Sequence, residues 1–236
     1  MVRLQIAKAE DAGRNGASEH IKRVALRLFA ERGVDGVTVR EIAAAAGQRN
    51  HGAVSYYFGS KELLVRAIVM EGAVALDRHR NAELDRIEAQ GGPETIREVV
   101  DVLILPVVAL DDDYYVPFIV MLGMSHRDLM MDAIDASWNR AYGRCLDHLR
   151  RLLPGLSPAL QNQRFVFMGA YLSAVLAARQ RALADHSRDH PMWGSQESLE
   201  HFAQSLVGLL EAPVELSSNA LHRESNEKLE PRGPMG

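Results

Sequence analysis

No feature constrains the fold of this chain more than the stretch TVREIAAAAGQRNHGAVSYYFGSK, which begins at Thr38. Thr38 is a good helix N-cap, and Glu41 follows three residues later, which is the spacing of a capping box. Gly47 suits a turn after this short helix, and Ala43 is small enough to lie where two helices cross closely. Val54 offers an aliphatic side chain to the inner face of the next helix. The spacing therefore predicts a helix-turn-helix.

Helical periods recur along the rest of the chain. A first helix is predicted from Glu19 to Gly33, and a long one from Lys61 to about Ala89. Further helices are predicted near residues 94–110, 114–125, 127–153, 158–184 and 195–211. Only a faint alternation at 114–120 resembles a strand. The chain is therefore predicted to be all-α, with a three-helix N-terminal domain and a larger C-terminal helical domain.

The bulk composition indicates a globular protein of a reducing compartment. Of the 236 residues, 47% are hydrophobic and 25% are charged, and no apolar run approaches the roughly 20 residues that span a bilayer. The first sixteen residues lack the continuous apolar core of a signal peptide. Cys145 is the single cysteine, so an intrachain disulfide is excluded. We therefore expect a cytoplasmic protein without a membrane partner.

Charge is distributed unevenly along the chain. The net charge is −4, but residues 17–66 carry eight basic and five acidic side chains. The remainder must then be acidic, so only the N-terminal end is expected to meet an anionic partner.

The segment from residue 17 to 66 resembles the N-terminal DNA-binding segment of the tetracycline-repressor (TetR) family of bacterial transcription regulators. The resemblance rests on ALRLFAERGVDGVTVREIAAAAG and on AVSYYFGSKELL. It implies a DNA-binding domain at 17–66 and a helical ligand-binding and dimerisation domain at 67–211. The flanking segments are predicted to be a flexible tail at 1–16 and a disordered tail at 212–236.

The resemblance implies which residues meet DNA. Tyr57 and Lys61 are expected to contact phosphates, through a hydroxyl and an ammonium. Small or polar residues at the start of the recognition helix are expected to contact base edges. Phe58 and Tyr56 are expected to pack inward. The predicted DNA-binding residues are Thr38, Arg40, Arg49, Asn50, His51, Gly52, Ala53, Ser55, Tyr57 and Lys61.

The turn before the recognition helix departs from the family pattern. The usual N-cap position falls on Asn50 when counted back from Phe58, but one residue more than the common pattern separates it from Gly47. The turn at 48–50 is therefore predicted to be longer by one residue, which places Arg49 beside the expected groove.

The resemblance also implies a homodimer and a ligand pocket in the C-terminal domain. The last two strong helices are the expected dimer interface, since they carry small and aliphatic residues. The predicted interface residues are Phe167, Tyr171, Ala174, Phe202, Leu206 and Leu209. Methionine and aromatic residues between Pro106 and Tyr142 can line an adaptable apolar pocket, although each could equally be core. The predicted pocket residues are Phe118, Met121, Leu122, Met124, Trp138 and Tyr142.

Other chemistries receive little support from the sequence. The acidic run at 111–113 lacks calcium-loop spacing, and His186 and His190 have no obvious third metal ligand. No phosphate loop, nucleophile elbow or pair of catalytic carboxylates stands at diagnostic spacing. No catalytic residue, metal or cofactor is therefore predicted.

The sequence as a whole predicts a ligand-responsive transcription regulator that is not an enzyme. Its expected partners are a palindromic double-stranded DNA operator, a second copy of the chain and a small, largely apolar effector. Repression is expected rather than activation. Two alternatives stay open: a DNA-binding helical protein that responds to a partner instead of an effector, and a helical enzyme.

Overall fold

The computed structural model describes residues 2–50, 52–110, 112–133 and 139–214, with only the backbone described for 2–15. These residues form eleven helices and contain no strand. The helices are α1 Val2–Arg32, α2 Val39–Ala45, α3 Ala53–Phe58, α4 Lys61–Glu88, α5 Ile96–Val108, α6 Tyr115–Ser125, α7 Arg127–Ala133, α8 Arg140–Leu152, α9 Pro158–Ala184, α10 Pro191–Gly194 and α11 Gln196–Glu211. The predicted all-α class is confirmed.

The N-terminal domain is built around one apolar centre. Phe29 of α1, Ile42 of α2, Val54 of α3 and Leu64 of α4 are all fully buried there. Each helix is too short or too polar to be stable alone, so burying these faces against one another holds the three-helix unit together. The same cluster of buried side chains continues without interruption into the C-terminal domain as far as Leu210.

Three helix boundaries differ from the predicted ones. Helix α1 begins at Val2, where a tail was predicted, because no proline interrupts the chain before Glu19. The predicted 127–153 helix is divided into α7 and α8, with residues 134–138 outside the described part. A separate short helix, α10, precedes α11. The helix predicted at 114–125 is confirmed as α6, and the faint alternation at 114–120 forms no strand.

Helix α4 connects the two domains. It contacts α1 and α3 of the N-terminal domain and α5, α7 and α8 of the C-terminal domain. An α-helix rises about 1.5 Å per residue, so the 28 residues of α4 span about 42 Å. Helix α6 lies between α1 and α9, which makes it a second connection from the C-terminal domain to the N-terminal one.

Buried polar side chains fix the ends of several helices. Arg164 is buried and donates to the carbonyls of Leu210 and Ala212, the last acceptors of α11. A cation at this position satisfies orphan carbonyls and opposes the negative end of the helix dipole. Asp77 of α4 accepts a hydrogen bond of 2.7 Å from the Ala141 amide at the start of α8. These contacts fix the relative positions of α4, α8, α9 and α11.

Across the described residues, every helix is too short or too polar to cross a bilayer. The tail predicted from residue 212 lies outside the described residues except for 212–214, which have no regular structure.

Candidate nucleic-acid interface and effector cavity

Helix α2 ends in a glycine-dependent cap. Gly47 has φ of +66° and donates to the Ala44 carbonyl, while the Gln48 amide donates to the Ala43 carbonyl. This pair of bonds is the Schellman motif, which favours glycine because a positive φ strains any residue with a Cβ. The predicted role of Gly47 as the turn residue agrees with this geometry.

The lengthened turn is organised by Asn50. Its side-chain oxygen accepts a hydrogen bond of 2.8 Å from the Gly52 amide, and its carbonyl accepts one of 3.1 Å from Ala53. The N-cap of α3 is Gly52 rather than the predicted Asn50, because Asn50 accepts the hydrogen bonds of a turn that precedes the helix. A Cβ on Gly52 would lie 3.2 Å from the Asn50 oxygen, so the turn itself also favours glycine there.

One face of α2, the turn and α3 is open to solvent. Its members are the predicted DNA contacts Arg40, Arg49, Asn50, Gly52 and Ser55. The opposite face is closed by buried apolar side chains of the same helices. All five predicted residues, both arginines included, are therefore exposed within the segment that forms α2, the turn and α3. His51 lies outside the described residues.

The prediction for Ala53 is wrong. Only 5% of its surface is exposed, because it packs in the core beside Val54, and its methyl group cannot reach a base edge. Tyr56 was predicted to pack inward, but 63% of its surface is exposed. Tyr57 is half-buried against the core and meets Tyr56 edge to face, with ring centroids 5.0 Å apart. The more exposed tyrosine of α3 is therefore Tyr56, and the phosphate contact of Tyr57 stays a prediction.

Lys61 ties the start of α4 to the turn between α1 and α2. Its Nζ donates to the carbonyl oxygens of Val34 at 3.0 Å and Val37 at 3.2 Å. An ammonium has three donors, so one N–H is left for another acceptor. The position beside the N-terminus of α4 is suited to a phosphate, because the helix dipole is positive there.

Thr38 closes the predicted capping box. Its hydroxyl accepts from the Glu41 amide, and the Glu41 carboxylate accepts from the Thr38 amide at 2.8 Å. Arg32 of α1 pairs with the same carboxylate at 2.8 Å. The Thr38 amide and the Arg32 guanidinium lower the pKa of Glu41 from 4.5 to about 2. Thr38 is exposed but its hydroxyl already serves this box, so its DNA contact stays a prediction.

Replacing Glu41 with Gln should make the N-terminal domain less sensitive to acid. The folded-state pKa of Glu41 is lowered, so its stabilisation is present above pH 4.5 and is lost as the pH falls toward 2. Glu41→Gln keeps the shape of the box and removes the charge. We expect a lower melting temperature than wild type at pH 7, and a difference that shrinks toward pH 2. A difference independent of pH, measured by circular dichroism, would contradict this assignment.

The predicted dimer-interface residues divide into two groups. Phe167, Tyr171 and Ala174 project from the exposed face of α9, and 53% of Phe167 is exposed. Phe202 and Leu206 are buried inside the subunit, where α11 packs on α5 and α9, so they offer almost no surface to a partner. The interface prediction is corrected for these two residues. Leu209 is half-buried.

An exposed apolar stripe on α9 continues beyond the predicted residues. Val166 is 68% exposed and lies beside Phe167, while Ala170 and Ala174 follow on the same face. This spacing of three and four residues places them in one row along the helix. Because such a row is usually covered in a folded protein, we name Val166, Phe167, Ala170, Tyr171 and Ala174 the α9 stripe.

The predicted pocket residues do not line one cavity. Phe118 and Leu122 are buried core, and the Phe118 ring stacks on Phe29 of α1 at 6.0 Å. Met124 is 85% exposed, so its prediction is wrong. Met121 borders a groove between α1, α6 and α9, and Tyr142 is half-buried. Trp138 lies outside the described residues.

A cavity of about 190 Å³ lies on the other side of α6. Apolar side chains of α4, α5, α6 and α9 form most of its wall, and Arg80 of α4, Asn139 and Ser173 add polar atoms. The cavity-lining residues are Ala73, Leu76, Arg80, Val107, Tyr115, Val116, Ile119, Val120, Asn139, Leu172, Ser173 and Leu176. None of the five predicted pocket residues that the structure describes is among them.

The described part of the chain contains neither a metal-binding group of side chains nor a reactive thiol. No three histidine, cysteine, aspartate or glutamate side chains are grouped there as metal ligands. Burial of the Cys145 thiol raises its pKa to about 11, so the thiol is neutral at physiological pH and a poor nucleophile.

Comparison with known proteins finds a family match in the N-terminal domain. Residues 21–68 match the family of bacterial regulatory proteins, tetR family. A stretch of 78 residues is 40% identical to the HTH-type transcriptional repressor Rv3405c of Mycobacterium tuberculosis, and it covers 32% of this chain and 41% of that protein. An HTH-type transcriptional regulator of Mycobacterium bovis matches equally well. The match thus spans about two fifths of the length of these curated relatives.

Solved structures extend the similarity to most of the fold. A tetR-family regulatory protein from Rhodococcus RHA1 has a TM-score of 0.57 at 16% identity, covering 82% of this chain and 96% of its own. A tetR-family regulator from Shewanella has a TM-score of 0.55 at the same identity, with 82% and 95% covered. At this identity the likeness establishes the fold alone.

Proposed function

We propose that this chain, a TetR-family member by its residues 21–68 and by its fold, is a homodimeric, sequence-specific DNA-binding regulator. It acts in the cytoplasm as a repressor, and a small effector bound in each subunit releases it from a palindromic operator. The observation that carries the proposal is the open face of α2, the turn and α3, closed behind by the apolar core of the N-terminal domain.

The exposed face has the composition of a surface that enters the major groove. Ser55 and Tyr56 project from α3 itself, and Asn50 and Arg49 stand at its entrance. Arginine donates two hydrogen bonds to guanine, and asparagine can pair with adenine, so the face can distinguish bases. Lys61 and the amides at the start of α4 flank this face, where a DNA backbone would run.

Dimerisation supplies the specificity that one short helix lacks. A single recognition helix contacts few base pairs, so two copies on a palindrome are needed for a specific site. The α9 stripe is the surface proposed to pair with its copy, because it is apolar and exposed on the helix that also packs against α11. A two-fold axis across the stripe would bury both copies of each exposed side chain.

Two helices that line the effector cavity, α6 and α4, also extend to the DNA-binding domain. Helix α6 lines the cavity with Val116, Ile119 and Val120, and it packs on α1 through Phe118. Helix α4 lines the same cavity and begins at Lys61, about 28 Å from Arg80 along the helix axis. An effector that binds better to one arrangement of α4 and α6 would shift the dimer toward the form that does not fit DNA.

Selection of bound DNA from a random duplex library tests the proposal. We expect the purified full-length protein to enrich an inverted repeat, with half-sites one helical turn or a multiple of it apart. Enrichment of a single half-site would contradict the dimer, and absence of any enriched motif would contradict sequence-specific binding.

Two other functions make different predictions for the same protein. A partner-regulated DNA binder would enrich a motif but would bind no small molecule in the cavity. A helical enzyme would need reactive groups in a cleft; the cavity wall offers Arg80, Tyr115, Asn139 and Ser173, and no histidine or carboxylate among its described residues.

Replacing Lys61 with Met should weaken binding to all DNA sequences alike. Loss of one phosphate contact should lower the slope of log affinity against log salt by about 1, without changing the preferred motif. Lys22→Met is the matched control, because Lys22 pairs with Glu19 and Glu71 on α1 and α4. We expect the Lys22 variant to keep the wild-type salt slope in fluorescence anisotropy titrations.

A purely structural Lys61 would give a different result. Lys61→Met would then melt at a lower temperature, because the bonds to Val34 and Val37 are lost, but the salt slope of the folded protein would equal that of wild type.

A further inference from the structure

Arg80 is a partly buried cation that forms no ion pair with any carboxylate of the described residues. Its Nη2 donates to the Leu103 carbonyl at 3.1 Å, and its Nε is inaccessible to solvent and has no hydrogen-bond partner. Among the described residues, no carboxylate lies within 4.0 Å of the guanidinium; the carboxylate one helical turn away, Asp77, accepts from the Ala141 amide and from Asn81. A guanidinium has five donors, so most of them have no protein acceptor.

Besides the Asp77 carboxylate, the titratable groups around Arg80 carry no negative charge that could pair with it. Tyr115 and Tyr142 face it from α6 and α8, and Cys145 faces it from α8. Burial raises the pKa of all three, so each is neutral at physiological pH. The Tyr115 hydroxyl already donates to the Val69 carbonyl at 3.0 Å. Removing a charge from water without a partner is costly, so this position favours an anionic ligand.

The cavity beside Arg80 limits the size and shape of that ligand. Its volume of about 190 Å³ suits a small ligand rather than a drug-sized one. Apart from Arg80, Asn139 and Ser173, the wall is mainly aliphatic, with Leu76 and Ile119 among its residues. One charged group at one end and an apolar body are therefore the best match. A single guanidinium suits a monoanion, and it binds a carboxylate through two parallel hydrogen bonds.

We infer that the effector of this protein is a small monocarboxylic acid whose carboxylate pairs with Arg80 and whose apolar body fills the cavity between α4, α5, α6 and α9. The inference rests on the proposed function, because it takes this cavity as the effector site. It replaces the largely apolar effector expected from the sequence with an amphipathic one.

Calorimetric titration of the full-length protein with acids and their matched amides tests the inference. The probes are benzoate with benzamide, isovalerate with isovaleramide, and hexanoate with hexanamide. We expect at least one acid to bind at one molecule per subunit, and its amide to bind at least about tenfold more weakly, because the amide lacks the charge. Equal binding of acid and amide, or no binding of any acid, overturns the inference.

Two arginine variants locate the site. Arg80→Met should lose at least about tenfold in acid affinity, the scale of one charged hydrogen-bonded pair. Arg179→Met is the matched control, because Arg179 also has a buried Nε without a partner but lies in a separate groove between α9 and α11. Loss of acid binding in the Arg179 variant instead would overturn the assignment. If Arg80→Met does not fold, the titrations of wild type with acids and amides still test whether the site requires a carboxylate.

Failure of this inference and failure of the proposed function are distinguishable. A protein that enriches a palindrome but binds no acid refutes only the effector class. A protein that binds an acid through Arg80 but enriches no DNA motif refutes only the regulator.

Discussion

Phe167→Glu is expected to turn the dimer into a monomer and to lower affinity for the full palindromic site by about 100-fold or more, the scale of lost bivalency. The side chain is 53% exposed and lies in the first turn of the α9 stripe, next to Val166. Two-fold symmetry would place two glutamates in one apolar interface, where an unpaired charge is costly. Multi-angle light scattering measures the mass, and anisotropy titration measures the affinity.

Met124→Glu is the matched control for Phe167→Glu. Met124 is also a large exposed apolar side chain, but it lies on α6, away from the α9 stripe. We expect this variant to remain dimeric and to bind the full site as wild type does. Affinity for an isolated half-site should be equal in both variants, since neither change touches α3. If the Phe167→Glu protein remains dimeric, the dimer interface lies on a surface other than the α9 stripe.

Phe118→Ala should lower the free energy of unfolding by about 3–5 kcal/mol, the usual cost of removing a buried phenylalanine ring. Phe118 is 1% exposed and stacks on Phe29, so the ring fills the contact between α6 and α1. Chemical denaturation of the single variants and of Phe29→Ala/Phe118→Ala measures the coupling of the two rings. We expect about 0.5–1.5 kcal/mol beyond additivity for such an aromatic pair.

Met124→Ala, on the same helix, is the control for this loss. Because its side chain is exposed, its removal should change stability by no more than about 0.5 kcal/mol. A small loss for Phe118→Ala would mean that α6 can shift to refill the space, and that the contact with α1 is looser than the stacked rings indicate.

The sequence was most informative where local rules act alone. The capping box at Thr38 and Glu41 and the glycine cap at Gly47 both form as their spacing predicts. These features depend on three or four neighbouring residues, so no tertiary contact is needed to infer them. The boundaries of α5, α6 and α9 also follow from their apolar period and their flanking caps.

Predictions about which side chain faces outward were less successful. A helical wheel for α3 places Tyr57 and Phe58 on the side of Ala53 and Val54, and therefore Ser55 and Tyr56 on the outside. The family resemblance implied the reverse for the tyrosines, with Tyr57 at the phosphates and Tyr56 packed inward. Phe202 and Leu206 show the same limit, because an apolar face does not reveal whether α5 or a second subunit covers it.

The sequence also contained evidence that Arg80 belongs to the pocket, although Arg80 is neither a methionine nor an aromatic residue. It stands four residues after Leu76 and four before Leu84, in the middle of an apolar row on α4. A charged residue in such a row is more informative than another Met or Phe, since charges are rarely buried without a reason. The cavity itself could not be predicted, because it forms only where four helices meet.

Tyr115 anchors the first turn of α6 to α4 by packing against Gly72. A Cβ at Gly72 would lie 2.1 Å from the tyrosine ring, and the tyrosine hydroxyl donates to the Val69 carbonyl. The first turn of α6 is therefore held against α4, and α6 can tilt only about this point. His126 follows the last turn and contacts Asp35 of the α1–α2 turn at 3.2 Å. Over the roughly 16 Å of α6, each degree of tilt about Tyr115 displaces that far end by about 0.3 Å.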